Sequence, residues 1–252
     1  MVSIDVLGGT FLDIYIIKEQ EDIHKSKVYM FPGGSGLIVA IGLAKQGYNV
    51  RLISNVGNDF VGDYIIKKLI EYCVDVDYVQ RINKPTSIFV TLNEKPIAID
   101  RQVLDCDLFV PDNKSDYLFI TTEINKNVVD SDIFSFYNKV FFDIGPRSNI
   151  IANNHKKHNN VIYIGNEEEC KGLPFTCDVV KLGIKGAKWD DIQVGGNKKK
   201  AKYTIGMGDV FDVALVDGIL KNEEKALILE KAVKTAESVS DYLGAFNKII
   251  NS

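Results

Sequence analysis

The stretch Thr204-Ile205-Gly206-Met207-Gly208-Asp209-Val210-Phe211 is a Gly-x-Gly-Asp turn that opens an apolar run of helical length. Glycines at such a turn let the backbone come close to a ligand. The unpaired N–H groups of a first helical turn, reinforced by the helix dipole, favour negative charge. The turn therefore reads as an anion hole formed by Gly206, Met207 and Gly208. A carboxylate in that company repels an anion unless it acts on a proton, which makes Asp209 a candidate base. By spacing alone a simple helix cap is the stronger reading. The run Asn166-Glu167-Glu168-Glu169 has the spacing of a capping box, an amide at the cap and a glutamate three residues on.

Positioning such residues requires a frame. Strand-like runs alternate with helical patterns: Ile4 to Leu7 before Gly36 to Gln46, Val50 to Ser54 before Asp59 to Tyr72, and Tyr117 to Thr121 before Val128 to Asn138. Further strands are expected at Val140 to Asp143, Val161 to Ile164 and Val179 to Leu182, and helices at Thr204 to Leu220, Glu223 to Ser238 and Asp241 to Ile250. The alternation, with several strands apolar on both faces, predicts an α/β fold: a central, mainly parallel sheet with helices on both faces. Ile14 to Met30 and Thr86 to Arg101 break the pattern, being strand-like pieces joined by turns with no helix between. They read as hairpins outside the main sheet, a small β-lid over the edge where an α/β ligand site is expected.

Composition narrows the function classes. A net charge of −4 argues against a nucleic-acid partner, since phosphate neutralisation needs a dense basic face. The one basic run, Lys198-Lys199-Lys200 with Lys202, reads as a solvated loop. No apolar run reaches membrane-spanning length and the N-terminus lacks a signal-peptide pattern, so a cytoplasmic protein is expected. Cys73, Cys106, Cys170 and Cys177 show no metal or redox spacing and are expected to be reduced and inert. Gly8-Gly9-Thr10-Phe11-Leu12-Asp13 lacks the G-x-G-x-x-G spacing of a dinucleotide-binding dehydrogenase, and no helix follows it directly.

Taken in chain order, these stretches resemble the motifs of the ribokinase (pfkB) family of carbohydrate kinases. Gly8-Gly9 with Asp13 resembles the first strand and its substrate aspartate. Phe31-Pro32-Gly33-Gly34, followed by Ala40, Leu43-Ala44 and Gly47, resembles the first signature. Gly57-Asn58-Asp59-Phe60-Val61-Gly62, Asp143-Ile144-Gly145-Pro146-Arg147, Asn166-x-x-Glu169 and Lys181-Leu182-Gly183-Ile184-Lys185-Gly186 fall in the family's order, and Thr204 to Asp209 resembles the second signature. The resemblance implies one ribokinase-like domain over residues 1–252 that phosphorylates a hydroxyl of a small substrate with ATP and Mg²⁺. Asp209 would take the hydroxyl proton. Asn166 and Glu169 would hold the metal through water, with Asn166, Lys181, Gly183, Gly186 and Arg147 on the nucleotide side. Asp13, Gly33, Gly34 and the position of Ile38 would meet the acceptor, and Arg101 an anionic group. The chain would act as a monomer or as a homodimer through the lid.

Several positions depart from the family pattern. Ile38 stands where an asparagine is usual, Tyr203, Ile205 and Met207 alter the second signature, Gly145 replaces another asparagine, and the flap from Gly186 to Thr204 is short. None removes the base. The missing amide points to an acceptor other than ribose or fructose, such as a cyclitol, a sugar acid or a nucleoside. A non-catalytic sugar- or nucleotide-binding paralogue on the same scaffold is the alternative.

Overall fold

The computed structural model describes residues 2–129, 132–151, 155–196 and 201–252. In chain order the elements are β1 (Ser3–Leu7), β2 (Phe11–Ile17), β3 (Lys27–Gly33), α1 (Ser35–Lys45), β4 (Asn49–Gly57), α2 (Phe60–Glu71), β5 (Val79–Ile82), β6 (Ile88–Leu92), β7 (Lys95–Asp100) and β8 (Tyr117–Thr121). They continue with α3 (Lys126–Val129), β9 (Lys139–Asp143), β10 (Val161–Asn166), α4 (Glu167–Lys171), β11 (Val179–Lys181), β12 (Ala187–Trp189), β13 (Ile192–Val194), α5 (Met207–Leu220), α6 (Lys225–Ser238) and α7 (Ala245–Ile250).

The main sheet runs β13-β12-β11-β10-β9-β8-β1-β4-β5, parallel from β11 to β5, with the β12–β13 hairpin antiparallel at one edge. Strand alternation explains why its sequences are apolar nearly throughout. Val6, Leu52, Phe119, Phe141 and Ile164 point into a core shared with α1, α2, α5, α6 and α7. Their neighbours Leu7, Ile53, Ile120, Phe142 and Tyr163 point into a second core on the opposite face. This is the ribokinase-like arrangement expected from the sequence.

The two irregular segments do not continue the main sheet. They form a separate four-stranded sheet ordered β3-β2-β6-β7, in which β2 pairs antiparallel with β3 and parallel with β6. Asp59 fixes this sheet to the frame. It caps α2 by accepting from Gly62 N (2.8 Å) and also accepts from the backbone N (2.7 Å) and the hydroxyl (2.7 Å) of Thr86, just ahead of β6. The Gly57-to-Gly62 motif is therefore a joint between the two sheets.

Two expectations are corrected. The helix expected over Val128 to Asn138 is not α-helical throughout: α3 is described over Lys126–Val129, and Asp132–Phe136 is a 3-10 turn. Paired β-branched valines and a cluster of Asp and Ser side chains that compete for backbone groups give that segment poor helical character. Cys170 and Cys177 are not both reduced, because they form a disulfide across the turn after α4. Lys198, Lys199 and Lys200 lie outside the described residues. Among the described residues no helix is long and apolar enough to cross a membrane.

At the end of the sheet remote from the glycine-rich turns, Asp5 is fully buried and accepts a bidentate pair from Arg51 (2.9 and 2.9 Å), with Ser115 and Tyr137 completing its shell. Removing one partner of a buried pair leaves an uncompensated charge. Arg51→Met is expected to lower stability by about 3–5 kcal/mol in denaturant unfolding while leaving turnover per folded molecule unchanged.

Candidate active site

The carboxyl ends of β1, β8 and β9 and the starts of α1 and α5 surround a cavity of about 550 Å³. Three carboxylates line it: Asp13 from the second sheet, Glu123 from the loop after β8, and Asp209 from the first turn of α5. The rest of the wall is largely apolar, with Phe11, Phe89, Pro96, Ile97, Ile99 and Ile205.

Each carboxylate is set by a specific neighbour. Asp13 accepts from the Tyr15 hydroxyl (3.2 Å) through Oδ2, while its Oδ1 is buried without a partner. A Cβ on Gly33 would lie 2.2 Å from that carboxyl group, so only glycine lets β3 pass beside it. Glu123 accepts from Ser35 N at 2.8 Å, and the Ser35 side chain acts to lower the pKa of Asp209. Ser35, the first residue of α1, thus lines the cavity with both carboxylates and holds Glu123 directly.

Burial pushes all three acids toward the neutral form. Asp13 is raised well above the usual carboxylate range by burial and then by the charge of Glu123. Glu123 is pushed up to about 7 by burial and by Asp209. Asp209 is pushed up to about 6 by burial and the charge of Asp143, against the Ser35 hydrogen bond and Lys181.

The start of α5 separates this cavity from another of about 360 Å³, lined by Gly183, Ile184, Met207, Lys234, Ser238 and Ser240 among others. Gly206 is the N-cap with φ +85°, and a Cβ there would lie 2.4 Å from Ala245. Met207 N–H is already engaged, donating to Thr204 O at 3.1 Å. Gly206 and Gly208 N–H meet no acceptor among the described residues, so of the three expected anion-hole donors these two are open. Just upstream, the N–H groups of Thr204 (2.8 Å) and Ile205 (3.2 Å) donate to the Glu94 carboxylate at the β6–β7 turn.

Beneath the first turn of α5, the Lys181 ammonium bonds Asp143 (3.0 Å) and both oxygens of Asp212 (3.2 and 3.0 Å). Burial opposes its charge, but the two aspartates outweigh it and hold the ammonium well above its ordinary value. Its protons are committed to protein rather than free for a nucleotide. Asn166 and Glu169 form the capping box: Asn166 Oδ1 accepts from Glu168 N and Glu169 N (2.9 Å each), and Glu169 Oε2 accepts from Asn166 N (2.8 Å). Of that pair only Glu169 keeps an uncommitted oxygen, and burial and the charge of Asp143 raise its pKa.

The structure gathers Asp13, Gly33, Gly34 and Asp209 about the first cavity, and Gly183 and Met207 about the second. Gly186 sits at the turn into β12. Ile38 is fully buried in the apolar core of α1 and does not line the first cavity, which corrects its expected place beside the acceptor. Arg147 donates to the carbonyls of Thr122 (3.4 Å) and Ile124 (2.9 Å), bracketing Glu123 rather than reaching the second cavity. Arg101 donates through Nε to Asp105 (2.8 Å), and its two terminal nitrogens are buried without partners. Glu123, Glu94 and Asp212 were not legible as site residues. Glu123 alone carried a usable signal, since it follows the carboxyl end of a parallel strand.

Residues 1–104 match the family described as pfkB family carbohydrate kinase. Among curated relatives, an ATP-dependent 6-phosphofructokinase of Thermoanaerobacterium thermosaccharolyticum is 28% identical over 123 residues, 48% of this chain and 38% of that protein. A guanosine-inosine kinase of Exiguobacterium acetylicum is 24% identical over 95% of this chain and 94% of its own length. Among solved structures, Arabidopsis thaliana ribokinase complexed with ribose and ATP superimposes with a TM-score of 0.80 at 19% identity, covering 98% of this chain and 96% of that one. At that identity the likeness is one of fold.

The contact between Gly33 and Asp13 gives a direct test of the cavity. Gly33→Ala is expected to displace the Asp13 carboxylate and lower kcat/KM for the acceptor by about tenfold or more, measured in steady-state kinetics.

Proposed function

We propose that the protein transfers the terminal phosphoryl group of ATP to a hydroxyl of a small substrate in the 550 Å³ cavity, and that this acceptor is nucleoside-like, with a hydroxylated end and an apolar, planar end. The observation that carries the reading is the helix start set between two cavities, with Asp209 facing one and Met207 facing the other. Phosphoryl transfer needs two substrates in line, a base at the attacking oxygen and positive potential at the transferring group. In this reading the acceptor hydroxyl gives its proton to Asp209, beside which Ser35 also lines the cavity. The open Gly206 and Gly208 N–H groups, with the dipole of α5, face the charge of the transferring group. Asp13 and Glu123 accept hydrogen bonds from other acceptor hydroxyls, which the buried, partnerless Oδ1 of Asp13 favours.

Magnesium fits the free Glu169 oxygen better than a full protein cage. Among the described residues no cluster of three or more His, Cys, Asp or Glu could hold a metal, and this ion keeps much of its water. Glu169 would hold it through water, and the ion would supply charge neutralisation on the phosphates. The wall of Phe11, Phe89, Pro96, Ile97 and Ile99 favours a ring over a bare pentose. The guanosine-inosine kinase among the relatives supports that choice.

An ATP-consumption screen over pentoses, hexoses, sugar acids, cyclitols and nucleosides tests the acceptor, and ribose as the best substrate would overturn the nucleoside-like assignment. Asp209→Asn is expected to lower kcat by about 10²- to 10⁴-fold with intact ATP binding. A folded mutant with near-normal turnover excludes the base. The base must be ionised, so kcat/KM is expected to fall as pH drops through the range around Asp209's value of about 6 and to level off above it. An acid limb that persists unchanged when Asp209 is replaced by glutamate would count against that assignment.

A further inference from the structure

Lys248 is fully buried in α7, an expensive place for an ammonium group. Its Nζ donates to Tyr242 O at 2.6 Å and lies 5.9 Å from the centre of the Tyr203 ring. Its other protons meet no acceptor among the described residues. The acidic groups whose charges it answers are Glu94 and Asp209.

Glu94 is the other half of the arrangement. Its Oε2 accepts from Thr204 N and Ile205 N, and its Oε1 is buried without a hydrogen-bond partner. The loop it grips is pinned on both flanks by the segment leading into α7: Tyr203 N–H donates to Ser240 O at 3.0 Å, and Gly206 packs directly on Ala245. Glu94, from the second sheet, thus grips the loop that presents the Gly206 and Gly208 N–H groups, and Lys248, from the last helix, lies beside the Tyr203 ring at the start of that loop.

We propose that Lys248 is a positioning residue, a built-in cation behind the anion hole that balances Glu94 and so holds the Tyr203-to-Gly206 loop in its anion-binding shape. The inference rests on the phosphoryl-transfer reading of that loop. A positive charge fixed by the chain at this point also adds to the potential at the helix start without occupying the substrate cavities. Burial pushes the ammonium's pKa down to about 8, and the charges of Glu94 and Asp209 act in the opposite direction.

The test uses full-length protein and two readouts. In Lys248→Met, which keeps the bulk and removes the charge, kcat is expected to fall about tenfold or more, with KM for the acceptor changed less than about threefold. In Lys248→Ala, which leaves room at the site, ammonium ion at about 0.1 M is expected to restore part of kcat while leaving the wild type unaffected. Hydrogen exchange followed by mass spectrometry reads the loop directly and needs no turnover. The Thr204 and Ile205 amides are expected to exchange about tenfold faster in Lys248→Met, and ammonium is expected to slow them again in Lys248→Ala. Wild-type kcat and wild-type protection in a folded Lys248→Met protein overturn the proposal. Faster exchange without any phosphorylation by the wild type leaves the positioning role standing and sinks the kinase reading instead. Should Lys248→Met fail to fold, the doubly neutral Glu94→Gln/Lys248→Met protein is expected to fold, because no unpaired buried charge is left. A double variant no better folded than the single one overturns the counter-ion role.

Discussion

Lys181 joins three elements that the chain separates widely: β11, which carries it, β9 through Asp143, and α5 through Asp212. The side chains of Asp143 and Asp212 are 8% and 0% exposed, so both carboxylates are paired with this ammonium away from water. The pair fixes the depth at which α5 enters the sheet edge. A Cβ at Gly208 would lie 3.5 Å from Lys181 Nζ, which places the first turn of the helix directly over the cation. Asp209, the open Gly208 N–H and the partition between the two cavities all inherit their positions from that contact.

The same edge holds more buried acid than base. Asp13, Glu123 and Asp209 share one cavity, each made harder to ionise by burial, Asp13 also by Glu123 and Asp209, Glu123 by Asp209, and Asp209 by Asp143. Such a group is poorly solvated when empty and well matched to hydroxyl donors when filled, so the electrostatics alone favour a polyol end in the cavity. They also push Asp209 up to about 6, which suits the proposed role of a base near neutral pH.

Periodicity made the frame legible because strands buried on both faces must be apolar throughout, and turn chemistry marked the two hairpins that left it. The glycine-rich turn before Asp209 was legible for a similar reason, since its backbone requirement is local. Glu123 and Glu94 were hidden because what gives them a role is a partner 88 or 110 residues away, Ser35 or Thr204. Ile38 misled in the opposite direction. Its motif position suggested the cavity, whereas its apolar side chain and the packing of α1 place it in the core. Asn166 and Glu169 show a capping box where two readings had been open, with the amide oxygen taken up by the helix it starts.

The outer strand of the small sheet has its own chemistry. Every residue of β7 is exposed, a geometry that ordinarily invites a foreign strand to add itself. Pro96 offers no N–H to such an intruder, and the register slips between Val90 and Thr91, leaving Ile97 unopposed in the ladder. The rim is thereby spoiled for edge-to-edge polymerisation while Ile97 and Ile99 stay turned toward the cavity. A chain that must expose greasy side chains to meet its ligand has made its backbone unsociable at the same place.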